Sequence, residues 1–113
     1  MEKTLSKYSK VFDETSNMYS NDMEQNLMFI KYVRKHADDL LKLRRTIFLN
    51  DIYNMLGFSR TQYGQIVGWH YDLDNPIGNN CIDFDIHMGD IENTGSIIID
   101  FNVDGKVIQY LPE

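Results

Sequence analysis

The chain has 113 residues, with 17 Asp or Glu against 11 Lys or Arg, which gives a formal net charge of −6. This balance argues against nucleic acid as a direct ligand, because binding to a phosphate backbone depends on Lys and Arg. An aromatic content of 12% argues against disorder, since disordered segments are poor in aromatic residues. We therefore expect one folded domain over residues 1–113.

The compartment is indicated by the cysteine count and by the apolar runs. Cys81 is the only cysteine, so no intramolecular disulfide can form. The first ten residues are polar and charged, which is unlike a signal peptide. The longest uninterrupted apolar run is four residues, 27–30, far short of the roughly 20 needed to cross a bilayer. These features predict a cytoplasmic protein of the host cell without a membrane span.

Glycine and proline divide the chain near Gly64. Gly57 is the only glycine before that position, and both prolines come after it. Because these residues punctuate turns and are costly inside helices, the asymmetry predicts a helical part over about 1–58 and a sheet part over about 65–111.

Three helices are predicted in the first part. The first covers about 3–17, where Tyr8, Val11 and Phe12 recur at helical spacing. The second is capped by Asn21 or Asp22 and runs to the basic residues at 42–45, with a broad apolar stripe that should dock on the core. The third begins at residues 50–51 and ends at Gly57, which is expected to adopt a left-handed cap.

Four strands are predicted in the second part, over about 65–71, 81–87, 96–101 and 106–111, with loops at 72–80 and 88–95. In 82–87 apolar and polar side chains alternate, as in a half-buried antiparallel strand. The pair Asp104-Gly105 indicates a tight turn into the last strand. The expected fold is α+β, with the helices, one of them long and amphipathic, packed on a four-stranded antiparallel β-meander.

The best sequence candidate for a protein-binding surface is the aromatic strand and the loop after it. Trp69 and Tyr71 fall on one face of the predicted strand, and Asp72 and Asp74 follow at once. Tryptophan and tyrosine are enriched among the residues that dominate protein interfaces, so these four residues are expected to contact a protein partner if the aromatic pair is exposed.

A second cluster could carry metal chemistry. Asp83, Asp85 and His87 share one face of a strand, and Asp100 of the next strand could join them after pairing. Carboxylate and imidazole groups on one surface could hold a divalent cation. These positions are also the solvent-facing side of an amphipathic strand, which is polar in any case. The pattern therefore favours no metal, no cofactor and no catalytic residue, with the metal-dependent enzyme kept as an alternative.

Several segments resemble a known group of proteins. They are the stretch 48–58, the glycine-flanked stretch 64–69, the loop 75–80, the strand start 82–84 and the turn 100–105. Together they are similar to the C-terminal part of small uncharacterised proteins of phages and mobile elements of Gram-positive bacteria. The resemblance covers about residues 47–108 and does not extend over residues 1–45. It implies a genetic setting and no catalytic residues.

The function expected from the sequence is therefore that of a non-enzymatic phage or mobile-element protein. It would bind a host or phage protein, and could act as its inhibitor. One alternative is a structural or assembly component of a virion that associates with itself, which leaves a homodimer open. The other is the metal-dependent enzyme that would use the face of Asp83, Asp85 and His87.

Overall fold

The computed structural model describes residues 6–88 and 96–110. In these ranges the fold is α+β, with two α helices and two three-stranded antiparallel sheets. Sheet A has the strand order β1-β5-β4, with β1 at Lys10–Phe12, β4 at Phe84–Met88 and β5 at Ile97–Phe101. Sheet B has the order β2-β3-β6, with β2 at Thr46–Phe48, β3 at Val67–His70 and β6 at Gly105–Lys106.

The long helix is α1, Met23–Arg44, and its prediction is confirmed. The Asp22 side chain accepts a hydrogen bond from the backbone N–H of Glu24 (3.0 Å), which satisfies one of the unpaired donors at a helix start. At the other end Arg45 adopts a left-handed conformation (φ 70°), and its N–H donates to the carbonyl of Leu41 (2.7 Å).

The short helix α2, Leu49–Leu56, is also confirmed. Asp51 in its first turn accepts a hydrogen bond from the backbone N–H of Phe48 (3.1 Å). Gly57 ends the helix with a φ of 87°, a conformation that costs glycine nothing because it has no Cβ.

The predicted helix over 3–17 is wrong within the described residues, and residues 3–5 lie outside them. The chain instead forms β1, in which Val11 lies opposite Ile98 and Phe12 lies opposite Ile97. Phe12 is fully buried, where it contacts the rings of Tyr19 and Phe29. A short segment gains little from helix formation alone, so pairing with β5 and burial of Phe12 decide its structure.

The single four-stranded meander is not the observed arrangement. The strand predicted over 65–71 is shortened to β3 and preceded by a 3-10 turn at Tyr63–Gln65. Asp104-Gly105 does not join two neighbouring strands, because β6 pairs with β3 and not with β5. A further 3-10 turn, Ile108–Tyr110, takes the place of most of the predicted last strand. Of the loop predicted over 88–95, residues 89–95 lie outside the described part.

The core lies between α1, α2 and the two sheets. α1 contributes one side of its surface to it, and each sheet contributes alternate side chains. The largest fully buried side chains are Trp69, Tyr53, Phe12, Ile30, Leu41, Ile47, Leu49, Ile52, Leu56, Ile97, Ile99 and Val107. This arrangement leaves the outer side of α1, the loop 72–80 and the polar face of sheet A in contact with solvent.

Candidate functional site

Trp69, the first of the sequence-predicted contact residues, lies inside the protein. It belongs to β3, the middle strand of sheet B, and is 0% exposed. Its indole Nε1–H donates to both the backbone carbonyl (3.0 Å) and the side-chain oxygen (2.9 Å) of Asn102. An indole that is buried and hydrogen-bonded in this way stabilises the core and offers no surface to a partner.

Tyr71 is half-buried at the end of β3, and its backbone N–H donates to the carbonyl of Arg45 (2.7 Å). The structure therefore does not bring Trp69 and Tyr71 together on one exposed face. What remains accessible of the predicted surface is the loop 72–80, in which every residue from 73 to 79 is exposed.

The two ends of loop 72–80 are tied to each other. The backbone N–H of Asp72 donates to the side-chain oxygen of Asn80 (2.9 Å), and the side-chain amide of Asn80 donates to the carbonyl of Asp72 (3.3 Å). The Asp72 carboxylate also accepts hydrogen bonds from the backbone N–H groups of Asp74 and Asn75, both at 3.0 Å. These bonds to the charged form lower the pKa of Asp72. The loop is thus a closed turn with a defined shape.

The middle of the loop rests on sheet B through Asp104. A Cβ at Gly78 would collide with the Asp104 carboxylate, so the glycine allows the loop to approach this closely. The same carboxylate accepts a hydrogen bond from the backbone N–H of His70 (3.0 Å). Burial raises the pKa of Asp104 above its usual value. Asp104 therefore links the loop to β3.

Two apolar side chains stand on this fixed loop. Leu73 is 71% exposed and Ile77 is 38% exposed. The hydrogen bonds that fix the shape of the loop are made by residues 72, 74, 75 and 80. The side chains of Leu73 and Ile77 take no part in these bonds. Their exposure is the feature of this loop that most suggests a contact with another molecule.

The polar face of sheet A carries the proposed metal ligands. Asp85 lies directly opposite Asp100 in the pairing of β4 with β5, and the His87 Nε2 lies 3.4 Å from an Asp85 carboxylate oxygen. Asp83, Asp85 and Asp100, with Phe101 and Asn102, line an open cleft of about 310 Å³. The predicted sharing of one face by these residues is therefore observed.

The carboxylates of this cleft are already engaged by the protein. Asp100 accepts hydrogen bonds from the backbone N–H (3.1 Å) and the hydroxyl of Ser6, and Asp83 lies 3.6 Å from the Arg34 guanidinium. Within residues 6–88 and 96–110, no three His, Cys, Asp or Glu side chains are placed to hold a metal ion. The cleft is a hydrogen-bonded polar surface.

Cys81 and His70 carry side chains of types that often take part in catalysis. Burial is the main cause that raises the pKa of the Cys81 thiol, and nearby carboxylates raise it further, which disfavours the reactive thiolate. His70 is buried, with its Nδ1 2.9 Å from the Thr46 hydroxyl and its ring stacked on Tyr110 at 4.0 Å. The surroundings of Cys81 and His70 therefore indicate a structural role for each.

The sequence reasoning missed the outer side of α1. Three large side chains there are exposed: Met28 by 70%, Tyr32 by 62% and Leu43 by 79%. The available signal was the excess of large apolar residues on α1, because Met28, Tyr32 and Leu43 fall outside the stripe that faces the core.

By its fold, the chain is an α+β protein with two small antiparallel sheets and one long amphipathic helix. The chain belongs to DUF6353, a family of unknown function, which it matches over residues 1–111. The match includes the N-terminal part that the resemblance seen in the sequence did not reach. Comparison with curated proteins and with solved structures gave no significant match. Among the helices of the described ranges, none has the length and apolar character of a membrane span.

Proposed function

We propose that this protein is a non-enzymatic binding protein that contacts another protein through loop 72–80. The observation that carries the proposal is the exposure of Leu73 and Ile77 on a loop that is closed by hydrogen bonds at both ends. A loop that already has its bound shape loses little conformational freedom on association, so more of its contact energy appears as affinity.

The four residues predicted as the contact surface take different parts in this proposal. Asp74 and the two apolar residues, Leu73 and Ile77, would touch the partner. Asp72 would shape the loop, because its carboxylate accepts backbone hydrogen bonds inside it. Trp69 would support the strand from which the loop starts, and Tyr71 would lie at the edge of the contact.

The resemblance to proteins of phages and mobile elements supplies the setting of the proposal. We place the partner among host or phage proteins in the cytoplasm of the host cell, with inhibition of that partner as the outcome. The metal-dependent enzyme is not proposed, because Ser6 and Arg34 already engage two of its carboxylates. No described contact favours the virion component over the binding protein.

The test is an affinity capture with three tagged proteins, followed by mass spectrometry. The first is the wild type, the second carries Leu73→Ser and Ile77→Ser, and the third carries Leu43→Ser as a matched loss of one exposed leucine elsewhere. We expect the wild type and the Leu43→Ser variant to recover the same protein, and the loop variant to lose it. Thermal unfolding should show equal stability, since exposed substitutions change it by less than about 0.5 kcal/mol.

Two results would contradict the proposal. One is the absence of any protein enriched by the wild type over the bare tag. The other is equal recovery by the wild type and the loop variant, which would move the contact away from Leu73 and Ile77.

A further inference from the structure

The outer side of α1 is a second surface, and it is built differently from the loop. The helix buries Ile30, Val33, Ala37 and Leu41 against the core. At about 100° per residue, Met28, Tyr32 and Leu43 fall on the opposite side, within a sector of about 60°. Single exposed apolar residues are normal on a protein, but Met28 and Tyr32 are one turn apart and together form a patch. Leu43 lies about three turns further along the helix, beyond Asp39.

The centre of this patch is a flat pair of rings. Tyr32 and His36 are one helical turn apart, and their rings are nearly parallel, with an interplanar angle of 7° and centroids 6.0 Å apart. Together with Met28 they line a groove of about 450 Å³. A tyrosine at the centre of an apolar groove is the kind of residue that carries binding energy in protein interfaces.

The edge of the groove is cationic. Its other lining residues are Lys31, Lys35 and Asp39, and the Asp39 carboxylate is 3.4 Å from the Lys35 ammonium. Lys31 forms no ion pair with any residue in the described part of the chain. The groove therefore has an excess of positive charge on a chain whose net charge is −6.

We propose that the outer side of α1 binds an acidic amphipathic helix of another protein. The apolar side of that helix would lie on Met28 and Tyr32, which line the groove. Its Asp and Glu residues would lie along the edge that carries Lys31. There they would form ion pairs with the Lys31 ammonium group. Docking of an amphipathic helix in an apolar groove is a common mode of recognition, and complementary charges set its specificity.

A second copy of this chain is a poorer occupant. In an antiparallel pair of α1 helices related by a two-fold axis, each edge of the groove meets the same edge of the partner. Lys31 and Lys35 would then approach Lys31 and Lys35 of the other copy, and like charges repel. The net charge of −6 on each chain opposes self-association further.

The experiment is a fluorescence-polarisation titration of the full chain with two synthetic helical peptides. Both carry leucines along one side; one has glutamates along the flanks, and the other has lysines at the same positions. We expect the glutamate peptide to bind and the lysine peptide to fail. Affinity for the glutamate peptide should fall as the salt concentration rises, because exposed charges are screened.

Variants locate the contact. Tyr32→Ala should weaken binding of the glutamate peptide about thirtyfold, as expected for a central interface residue. Lys31→Glu should weaken it by about fivefold and improve binding of the lysine peptide. Leu73→Ser, which alters only the loop, should bind like the wild type. This last variant separates the inference from the proposed function, because it changes loop 72–80 and leaves the outer side of α1 unaltered.

Three outcomes would overturn the inference. They are equal binding of both peptides, the absence of binding by either, and a dimer in analytical ultracentrifugation that Tyr32→Ala dissociates. The last result would show that a second copy covers the groove.

Discussion

β3 and loop 72–80 are separated by one residue in sequence and have opposite surroundings. All four residues of β3 are buried, whereas residues 73–79 are all exposed. The strand is held between two neighbouring strands, and the loop is held by side-chain bonds to its own backbone. The comparison shows that Trp69 is part of the core, and that the smaller apolar residues Leu73 and Ile77 are the ones accessible to another molecule.

The largest difference between the two regions should appear in stability. Trp69→Ala removes a fully buried indole, which should lower the free energy of unfolding by about 3–5 kcal/mol. Leu73→Ala should change it by less than about 0.5 kcal/mol, because Leu73 is largely exposed. Urea unfolding of both variants measures the contrast. A loss below about 1 kcal/mol for Trp69→Ala would mean that the strand is not the buried region described.

Asn102 should have the next largest effect. Its side chain accepts hydrogen bonds from Trp69 Nε1–H (2.9 Å) and Asp83 N–H (2.7 Å), and it donates to the carbonyl of Cys81 (3.2 Å). Asn102→Ala removes these three side-chain bonds, although the Trp69 indole N–H keeps the backbone carbonyl of residue 102, so we expect a loss of about 2 kcal/mol in urea unfolding. Asn79→Ala, at an exposed loop position, is the control and should be neutral. Equal midpoints for the two variants would contradict this network.

A smaller effect, dependent on pH, should come from Asp104 between the two regions. Burial raises the pKa of its carboxyl, so the folded state binds the proton more tightly than the unfolded state does. Between the unfolded and the folded pKa the folded state holds more protons, and this group therefore adds stability as pH falls through that window.

Asp104→Asn removes this contribution and keeps an oxygen that can accept from the His70 N–H. The measurement is urea unfolding of both proteins between pH 7 and pH 4. We expect the stability of the wild type to rise relative to that of the variant as the pH falls. Parallel profiles would show that the Asp104 carboxyl titrates alike in both states.

The smallest effect on overall stability, and a purely local one, is expected for Asp72. Asp72→Ala removes the acceptor of two backbone hydrogen bonds within the loop. Amide hydrogen exchange measured by NMR should become faster at Asp74 and Asn75, while the amides of β3 keep their protection. Asp74→Ala keeps both bonds and is the matched control. Faster exchange in β3 would mean that the loop and the strand open together.

The elements with local signals could be predicted from the sequence. Asp22 and Gly57 mark helix ends by their own chemistry, and both predictions are confirmed. The alternation over 82–87 predicts one strand and the apolar residues of 96–101 predict a second, and the polar face that they share follows from the pairing of the two. These features depend on neighbours in sequence, which a single chain displays directly.

The rest depends on distant partners. Residues 10–12 form a strand because β5 pairs with them, and Thr46–Phe48 forms a strand because β3 does. The burial of Trp69 follows from its place between β2, which was not predicted, and β6, which was expected to pair with β5. In the site, the engagement of Asp100 by Ser6 joins residues from opposite ends of the chain, and no local pattern reveals such a contact.

The position of β1 beside β5 also has a consequence for biosynthesis. Lys10 lies opposite Ile99, so β1 cannot pair until β5 has been synthesised. Until then the ring of Phe12 lacks the sheet that covers it, and a nascent or truncated product ending before β5 would present this ring to chaperones and proteases.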